Sequence, residues 1–201
     1  MTKLVLFLVL MLPVSALGQI SSSNTKILRV FGFCVGQDRQ LDFISEKFPA
    51  LKKDASDAKT FFSKTFGGSC EFVDGFIPGP TKLDVLPKID AAVRKSHPKN
   101  KDAANSFIKQ VRNRASGKIY SPLKEYLLAF HPKFSSEPLA EIGSGYTKSF
   151  SAKGHPKSFG LDFDITLPFS WHRKESQRNN ILQIFSSSGF DDGLVTIAIS
   201  V

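Results

Sequence analysis

The sequence lacks the motifs that mark the familiar enzyme and metal-binding classes. It contains only two cysteines in 201 residues, too few for a disulfide-dense scaffold or a cysteine-rich zinc site. It has no Gly-x-Ser-x-Gly, Gly-x-x-x-x-Gly-Lys-Ser/Thr or His-Glu-x-x-His sequence and no EF-hand loop. Those patterns are typical of serine hydrolases, P-loop proteins, zinc peptidases and calcium sensors. We therefore assign no catalytic residue, metal or cofactor.

Long apolar runs are also scarce. No run after residue 20 approaches the roughly 20 apolar residues that a membrane-spanning helix needs. What is present suits a folded domain, with 41% hydrophobic residues, 22% charged residues and 19 phenylalanines. This composition excludes a disordered chain and promises a substantial core.

The first 18 residues have the pattern of a secretory signal peptide. Lys3 supplies the positive start, Leu4–Leu12 is an unbroken apolar run, and Ala16-Leu17-Gly18 places small residues before a cleavage site. We expect cleavage before Gln19, with cleavage after Ala16 as the alternative. The mature protein is then predicted to be secreted or periplasmic.

Export changes what the two cysteines are expected to do. In an oxidising compartment, a disulfide between Cys34 and Cys70 is the default. A reactive thiol would need a nearby base, and the closest histidine in the sequence is His97. We therefore predict a structural disulfide.

Residues 19–133 have the apolar spacing of a helical region. Apolar residues recur three or four positions apart in five segments, which predicts helices over residues 38–48, 54–66, 82–96, 101–115 and 121–130. Gly67-Gly68 is expected to end the second helix. Pro87 is expected to kink or restart the third, and Ser121-Pro122 to begin the fifth as its N-cap and first residue.

Residues 134–201 change to the period of β-strands. Apolar residues alternate from Phe159 to Leu167, which predicts a half-buried strand. Further strands are expected over residues 181–186 and 195–201, and a fourth could lie over 146–152, whereas residues 172–180 are expected to form a polar loop. The prediction is an α+β fold with about five helices followed by a small antiparallel sheet. Because the last alternation runs to Val201, either a strand ends the protein there or the sequence is truncated.

The strand half also has a recognisable order of features. An alternating strand reaches Leu167-Pro168, Trp171 and a polar stretch follow, and the apolar segments Ile181–Phe185 and Leu194–Ile197 come next. This order resembles the opening of the PsbP-like fold, an α/β/α sandwich first known from a photosystem II extrinsic protein. The resemblance covers residues 159–201 and implies a binding or assembly module rather than an enzyme. It also implies that later strands and a helix are missing here, and it assigns no functional residue.

Positive charge is concentrated in the middle of the chain. The formal net charge is +9, and residues 82–133 hold 12 Lys and Arg against 4 Asp and Glu. On the helix predicted over 101–115, Lys101, Lys109 and Arg112 form one stripe. Such a stripe favours an anionic partner, namely an envelope lipid surface, an acidic glycan or an acidic protein, and nucleic acid is not expected after export. The alternative is a solvated face without a partner.

The sequence His-Pro-Lys occurs three times, beginning at His97, His131 and His155. A metal site formed by these histidines is one interpretation. A proline that stops a helix, with cations near the negative helix end, explains His97 and His131 without a metal. We favour this structural interpretation for His155 as well, and we predict no metal site.

Two candidates remain in the strand half. Trp171 lies between Phe169 and the basic pair His172-Arg173, where it could stack on a ligand, although a lone tryptophan more often covers the edge of a core. Asp162 and Asp164 are two residues apart and are expected to share the wet face of a strand.

Two functional hypotheses follow. The first is an exported, non-catalytic protein that binds an anionic partner in the cell envelope or outside the cell. The second is an exported hydrolase in which His155 or His172 acts with Asp162 or Asp164, an arrangement that requires histidine and carboxylate within hydrogen-bond reach. We favour the first hypothesis.

Overall fold

A computed structural model of the chain describes residues 22–187 and 195–200. The predicted signal peptide, its cleavage site, residues 188–194 and Val201 lie outside the described residues. The described helices are α1 (Ser22–Lys47), α2 (Lys52–Phe76), α3 (Gly79–Ser96), α4 (Lys101–Ala115), α5 (Ser121–Ala129), α6 (Pro132–Ser136) and α7 (Ala140–Gly143), and a 3-10 turn lies at Pro49–Leu51. The strands are β1 (Thr147–Ser151), β2 (Asp164–Pro168), β3 (His172–Lys174), β4 (Ile181–Ser186) and β5 (Thr196–Ser200).

The α+β class and the order of helices before strands are confirmed. All five predicted helices are present, and two short helices, α6 and α7, follow them. The strands form two antiparallel sheets rather than one, β1–β2 and β3–β4–β5. No helix within the described ranges is both long and apolar enough to cross a membrane.

Helices α1 and α2 form a hairpin that is cross-linked by the disulfide. Cys34 of α1 and Cys70 of α2 are bonded, with their Cα atoms 5.9 Å apart, within the range that disulfides require. The predicted disulfide is therefore confirmed. Helix α1 begins well before residue 38, because Ile27, Val30 and Phe31 bury an additional apolar stripe in the same core.

The prediction that Gly67-Gly68 ends the second helix is wrong. Helix α2 continues through both glycines to Phe76. A Cβ atom on Gly68 would lie 3.3 Å from Cδ of Pro132, so the glycine allows the start of α6 to approach the α2 backbone closely. The next residue, Ser69, donates a buried hydrogen bond of 2.7 Å from its Oγ to the carbonyl of Leu127 in α5. These tertiary contacts explain glycine in a helix interior, where local propensity disfavours it.

Helices α3 to α5 follow the sequence pattern closely. Helix α4 has the predicted bounds, because the side chain of Asn100 accepts a hydrogen bond of 2.9 Å from the amide of Ala103 as an N-cap. Helix α3 continues through Pro87 without a break. Helix α5 begins at Ser121, so its N-cap is Tyr120 rather than the predicted Ser121.

The strand predictions need two corrections. The alternating segment forms a strand only from Asp164, opposite β1, where Phe150 pairs with Ile165. Phe159 is 76% exposed and Leu161 51% exposed, because turns occupy the preceding segment and Phe159 has a φ of 50°. The segment predicted as a polar loop instead contributes the short strand β3, which pairs with β4.

The described residues form two hydrophobic clusters. The large cluster joins α1 to α6 around side chains such as Phe31, Phe66 and Leu127. The smaller cluster lies among the strands and comprises Phe150, Ala152, Leu167, Trp171, Leu182 and Phe185. Its small size follows from two thin sheets, each of which has few strands to contribute a buried face.

Candidate functional site

The predicted basic stripe on α4 is only partly free. Lys101 and Lys109 are exposed, and neither makes an ion pair with the described residues. The guanidinium of Arg112 instead lies 2.9 Å from the carboxylate of Asp54 in the first turn of α2. The stripe therefore offers two unpaired cations rather than the expected three.

Arg114, two residues further on, is also unsuited to a surface partner. Its guanidinium donates a hydrogen bond of 2.8 Å to the side-chain oxygen of Gln37 and lies over the rings of Phe33 and Phe107. Burial lowers the pKa of Arg114 to about 10. Its role is to fill the junction between α1 and α4.

The end of α3, the connection that follows and the start of α4 form the more strongly basic surface. Four exposed cations lie within eight residues there, Arg94, Lys95, Lys99 and Lys101, and we call this group the basic corner. None of them makes an ion pair with another described residue. Arg94 and Lys95 lie in the last turn of α3, Lys99 lies between the helices and Lys101 begins α4, so no single helical period joins the four. The signal that could have found them is the local density of like charge.

Cations elsewhere near α3 are neutralised by acids. The Nζ of Lys82 is 2.9 Å from the carboxylate of Asp74, and the Nζ of Lys88 is 2.7 Å from that of Asp84. Asp90 pairs with Arg39 of α1 at 2.6 Å. Asp102 follows Lys101 in the first turn of α4, where the helix dipole favours a negative charge. The basic corner is therefore the densest group of unpaired cations among the described residues of the middle helices.

Contacts with α1 hold the basic corner in place. The ring of His97 contacts the carbonyl of Arg94 through Nδ1 and lies 4.4 Å, centroid to centroid, from the ring of Phe43. Gln40 donates a hydrogen bond of 3.2 Å to the carbonyl of Ser96. The expected structural role of His97 at the end of a helix agrees with these contacts.

The other two histidines of the His-Pro-Lys sequences have separate local roles. His131 packs against Phe134, with ring centroids 4.7 Å apart, and its Nδ1 is buried without a partner among the described residues. Burial, together with Lys133, lowers the pKa of His131, so the ring is neutral near pH 7. His155 accepts a hydrogen bond of 3.2 Å at Nδ1 from the amide of Lys157. Within the described ranges no three potential metal ligands come together.

Trp171 belongs to the core of the strand region. Its side chain is fully buried and packs in the cluster with Phe150, Leu182 and Phe185. A ligand cannot stack on a ring that is covered in this way, so the ligand-stacking interpretation is corrected in favour of the core one. The indole Nε1 has no hydrogen-bond partner among the described residues.

Among the described residues, no hydrogen bond or ion pair joins His155 to Asp162 or Asp164. Asp164 lies on β2 and His172 on β3, which belong to different sheets. The carboxylate of Asp162 lies 3.8 Å from Nζ of Lys153.

A crevice of about 300 Å³ lies between α1 and α2. Its lining contains neither histidine nor cysteine. The cation at its wall, Lys59, lies 2.8 Å from Asp38 and 3.1 Å from Asp42. Although burial opposes the charge of Lys59, these two carboxylates raise its pKa, so its charge is already satisfied.

A buried carboxylate that sequence reasoning missed joins the helices to the strands. Glu141 of α7 is 1% exposed and accepts hydrogen bonds from the amide of Ser170, at 3.0 Å, and from its hydroxyl. Burial raises the pKa of Glu141, although the hydrogen bonds from Ser170 and the charge of Lys148 oppose the shift. No periodicity could have identified Glu141, because α7 has only four residues.

Two lysines complete the charge environment of this junction. The Nζ of Lys124 lies 4.3 Å from the centroid of Phe169. Burial lowers the pKa of Lys124 and of Lys148, and in both cases the charge of Glu141 opposes the shift. These contacts have a structural role, because Ser170 is itself buried and its hydroxyl donates a hydrogen bond to the carboxylate of Glu141.

Comparison with known proteins identifies no relative: no family model, curated protein or solved structure matches the chain. The resemblance of residues 159–201 to the PsbP-like fold therefore stays a prediction.

Proposed function

We propose that this chain is an exported, non-catalytic protein that binds an anionic partner through the basic corner. The observation that carries this proposal is the contrast in pairing around α3. Arg94, Lys95, Lys99 and Lys101 are exposed and unpaired among the described residues, whereas Lys82 and Lys88 have acidic partners. Concentrated, uncompensated charge attracts an anionic surface and increases its rate of encounter.

Two features support export to the cell envelope or the exterior. The signal-peptide pattern in residues 1–18 predicts secretion. The Cys34–Cys70 disulfide fits an oxidising compartment, where such bonds form and persist. Mass spectrometry of the protein from its native host should find an N-terminus near Gln19, and an intact Met1 species in the cytosol would contradict export.

The binding proposal is tested by reversing charge at the basic corner. The variant Lys95→Glu, Lys99→Glu, Lys101→Glu should lose retention on a heparin column at low salt. Because screening has a Debye length of about 8 Å at physiological ionic strength, wild-type retention should also fall steeply with added salt. Stability should change little, by about 0.5 kcal/mol or less per exposed site.

The matched control makes the same charge change at scattered positions. Lys64→Glu, Lys118→Glu, Arg178→Glu replaces three cations that are also exposed and make no ion pair with the described residues. We expect this variant to keep most of its retention. Equal loss in both variants would mean that binding follows total charge, and unchanged retention of the basic-corner variant would show that the corner is only a solvated surface.

A further inference from the structure

The solvent-facing side of α3 is unlike that of an ordinary surface helix. Val85, Ile89 and Val93 are buried on the side that packs against α1, which defines the opposite side as the solvent face. An exposed, uncharged row occupies that face, formed by Pro80, Leu83, Pro87 and Ala91. A surface helix usually carries charged or polar residues there. We call this row the α3 stripe.

The residues that flank the α3 stripe add no net charge, and the stripe leads directly to the basic corner. Leu83 is 78% exposed, and the flanking residues Asp84 and Lys88 neutralise each other in an ion pair of 2.7 Å. On the same face the next residue after Ala91 is Arg94, with which the basic corner begins. One side of α3 therefore presents apolar side chains for three turns and cations at its C-terminal end.

We propose that the α3 stripe and the basic corner together bind the surface of an anionic lipid bilayer, with α3 lying parallel to the membrane plane. This inference rests on the proposed function and specifies the partner. An acidic glycan would satisfy the cations but offers no apolar phase for Leu83. A bilayer offers both, because anionic headgroups lie directly above acyl chains, as with interfacial amphipathic helices.

The position of α3 in the fold agrees with a planar partner. The helix packs mainly on α1, so its outer side is a ridge rather than a groove. Its 18 residues give a length of about 27 Å, over which the stripe and the corner can contact one surface. A ridge of this kind can settle into a deformable headgroup layer.

Vesicle sedimentation tests the inference. Wild-type protein should bind vesicles of phosphatidylcholine mixed with phosphatidylglycerol, and should not bind phosphatidylcholine alone. The stripe variant Leu83→Gln, Ala91→Gln carries no charge change. Its affinity for the mixed vesicles should fall at least about tenfold, as expected from losing one buried leucine side chain. Its retention on heparin should equal that of the wild type.

The control removes apolar side chains elsewhere. Phe159→Gln, Leu161→Gln changes two exposed residues of the strand region, 76% and 51% accessible, and should leave vesicle binding unchanged. In a separate variant, Leu83→Trp, quenching of the new tryptophan by brominated lipid should report contact with the acyl chains. The native Trp171 is fully buried and gives a constant background.

The possible results separate this inference from the proposed function. If the stripe variant binds mixed vesicles as well as the wild type does, while the basic-corner variant loses both vesicle and heparin binding, the membrane inference fails and the proposed function stands. Wild-type protein that binds heparin but no vesicles, or that binds both kinds of vesicle equally, also overturns the inference. Loss of vesicle binding in the variant Phe159→Gln, Leu161→Gln would also overturn the membrane inference. If the basic-corner variant keeps both activities, the proposed function fails.

Discussion

The helical region, residues 22–143, and the strand region, residues 147–200, achieve stability in different ways. The helices close around one large core, and a disulfide fixes α1 to α2 inside it. The strands are divided between a two-stranded and a three-stranded sheet and bury six hydrophobic residues in a separate cluster. Long helices supply whole apolar stripes to a common core, whereas each thin sheet supplies only part of one face. The strand region therefore depends strongly on a few side chains.

The junction between the two regions also depends on a few side chains. Glu141 fixes α7 to the turn after β2 through Ser170, and Tyr146 packs on Phe66 with ring centroids 6.4 Å apart. Phe169 packs against the helical core although it lies between two strands. Four sets of substitutions test this difference between the two regions.

The largest effect is expected at Trp171. Its replacement by alanine removes the largest buried side chain of the small cluster, so the free energy of unfolding should fall by about 3–5 kcal/mol. Amide exchange should accelerate in the strands while the helical region stays protected. Urea unfolding followed by circular dichroism, with hydrogen exchange, measures both effects.

Trp171→Phe is the control for this substitution. It keeps a ring in the cluster and removes the buried Nε1 hydrogen that has no partner among the described residues, so its cost should be clearly smaller than that of alanine. If Trp171→Ala instead opened the helices to exchange as much as the strands, the two regions would share a single unfolding unit.

A somewhat smaller effect is expected from removing the disulfide. The bond closes a segment of 36 residues, and replacing both cysteines by serine should cost about 3–4 kcal/mol in the chain-entropy account. Exchange should now accelerate first in α1 and α2, the reverse of the Trp171 result. Thiol labelling of denatured, unreduced wild-type protein should detect no free cysteine, and two labelled thiols would contradict the bond.

At the junction, the expected effect is on pH dependence. Burial raises the pKa of Glu141 above its usual value of 4.5, with Ser170 and Lys148 opposing the shift. The folded protein then holds this proton more tightly than the unfolded chain, so the free energy of unfolding falls as the pH rises through the window above 4.5. Glu141→Gln resembles the protonated side chain and should remove this contribution.

The measurement is the difference between the unfolding free energies of the wild type and Glu141→Gln at each pH. The pKa of Glu125 is also raised, mainly by burial, but Glu125 is present in both proteins and its contribution largely cancels. A difference that does not change with pH would mean that the ionisation of Glu141 is not coupled to folding.

The smallest effect is expected from two matched glycines of the helical region. A Cβ atom on Gly32 in α1 would meet no other atom within 4 Å, whereas a Cβ on Gly68 would lie 3.3 Å from Pro132. Gly32→Ala should therefore stabilise the protein by about 0.5–1 kcal/mol through helix propensity. In Gly68→Ala the crowding against Pro132 should cancel that gain. Thermal unfolding compares the two, and an equal gain in both would show that Gly68 is not required for the approach of α6.

Sequence patterns predicted those elements whose signals are local. Helix α4 has both of its predicted ends because Asn100 caps it and Gly117, with a φ of 80°, follows it. Strand β4 is likewise confirmed over residues 181–186. The alternation from Phe159 to Leu161 wrongly predicted a strand there, because a two-residue period cannot distinguish a paired strand from an exposed turn. The basic corner was missed because it spans the end of α3 and the start of α4, and Glu141 was missed because α7 has only four residues.

By itself, the sequence determined the α+β class, the order of helices and strands, the concentration of positive charge in residues 82–133 and the pair of cysteines able to bond. These properties depend on composition and on spacing along the chain. Only the tertiary structure decided that α2 continues through its glycines, that Arg112 is paired with Asp54 while the basic corner has no ion-pair partner among the described residues, and that Glu141 is buried. The physical reason is that burial and charge compensation depend on neighbours distant in sequence, such as Pro132 for Gly68 and Ser170 for Glu141.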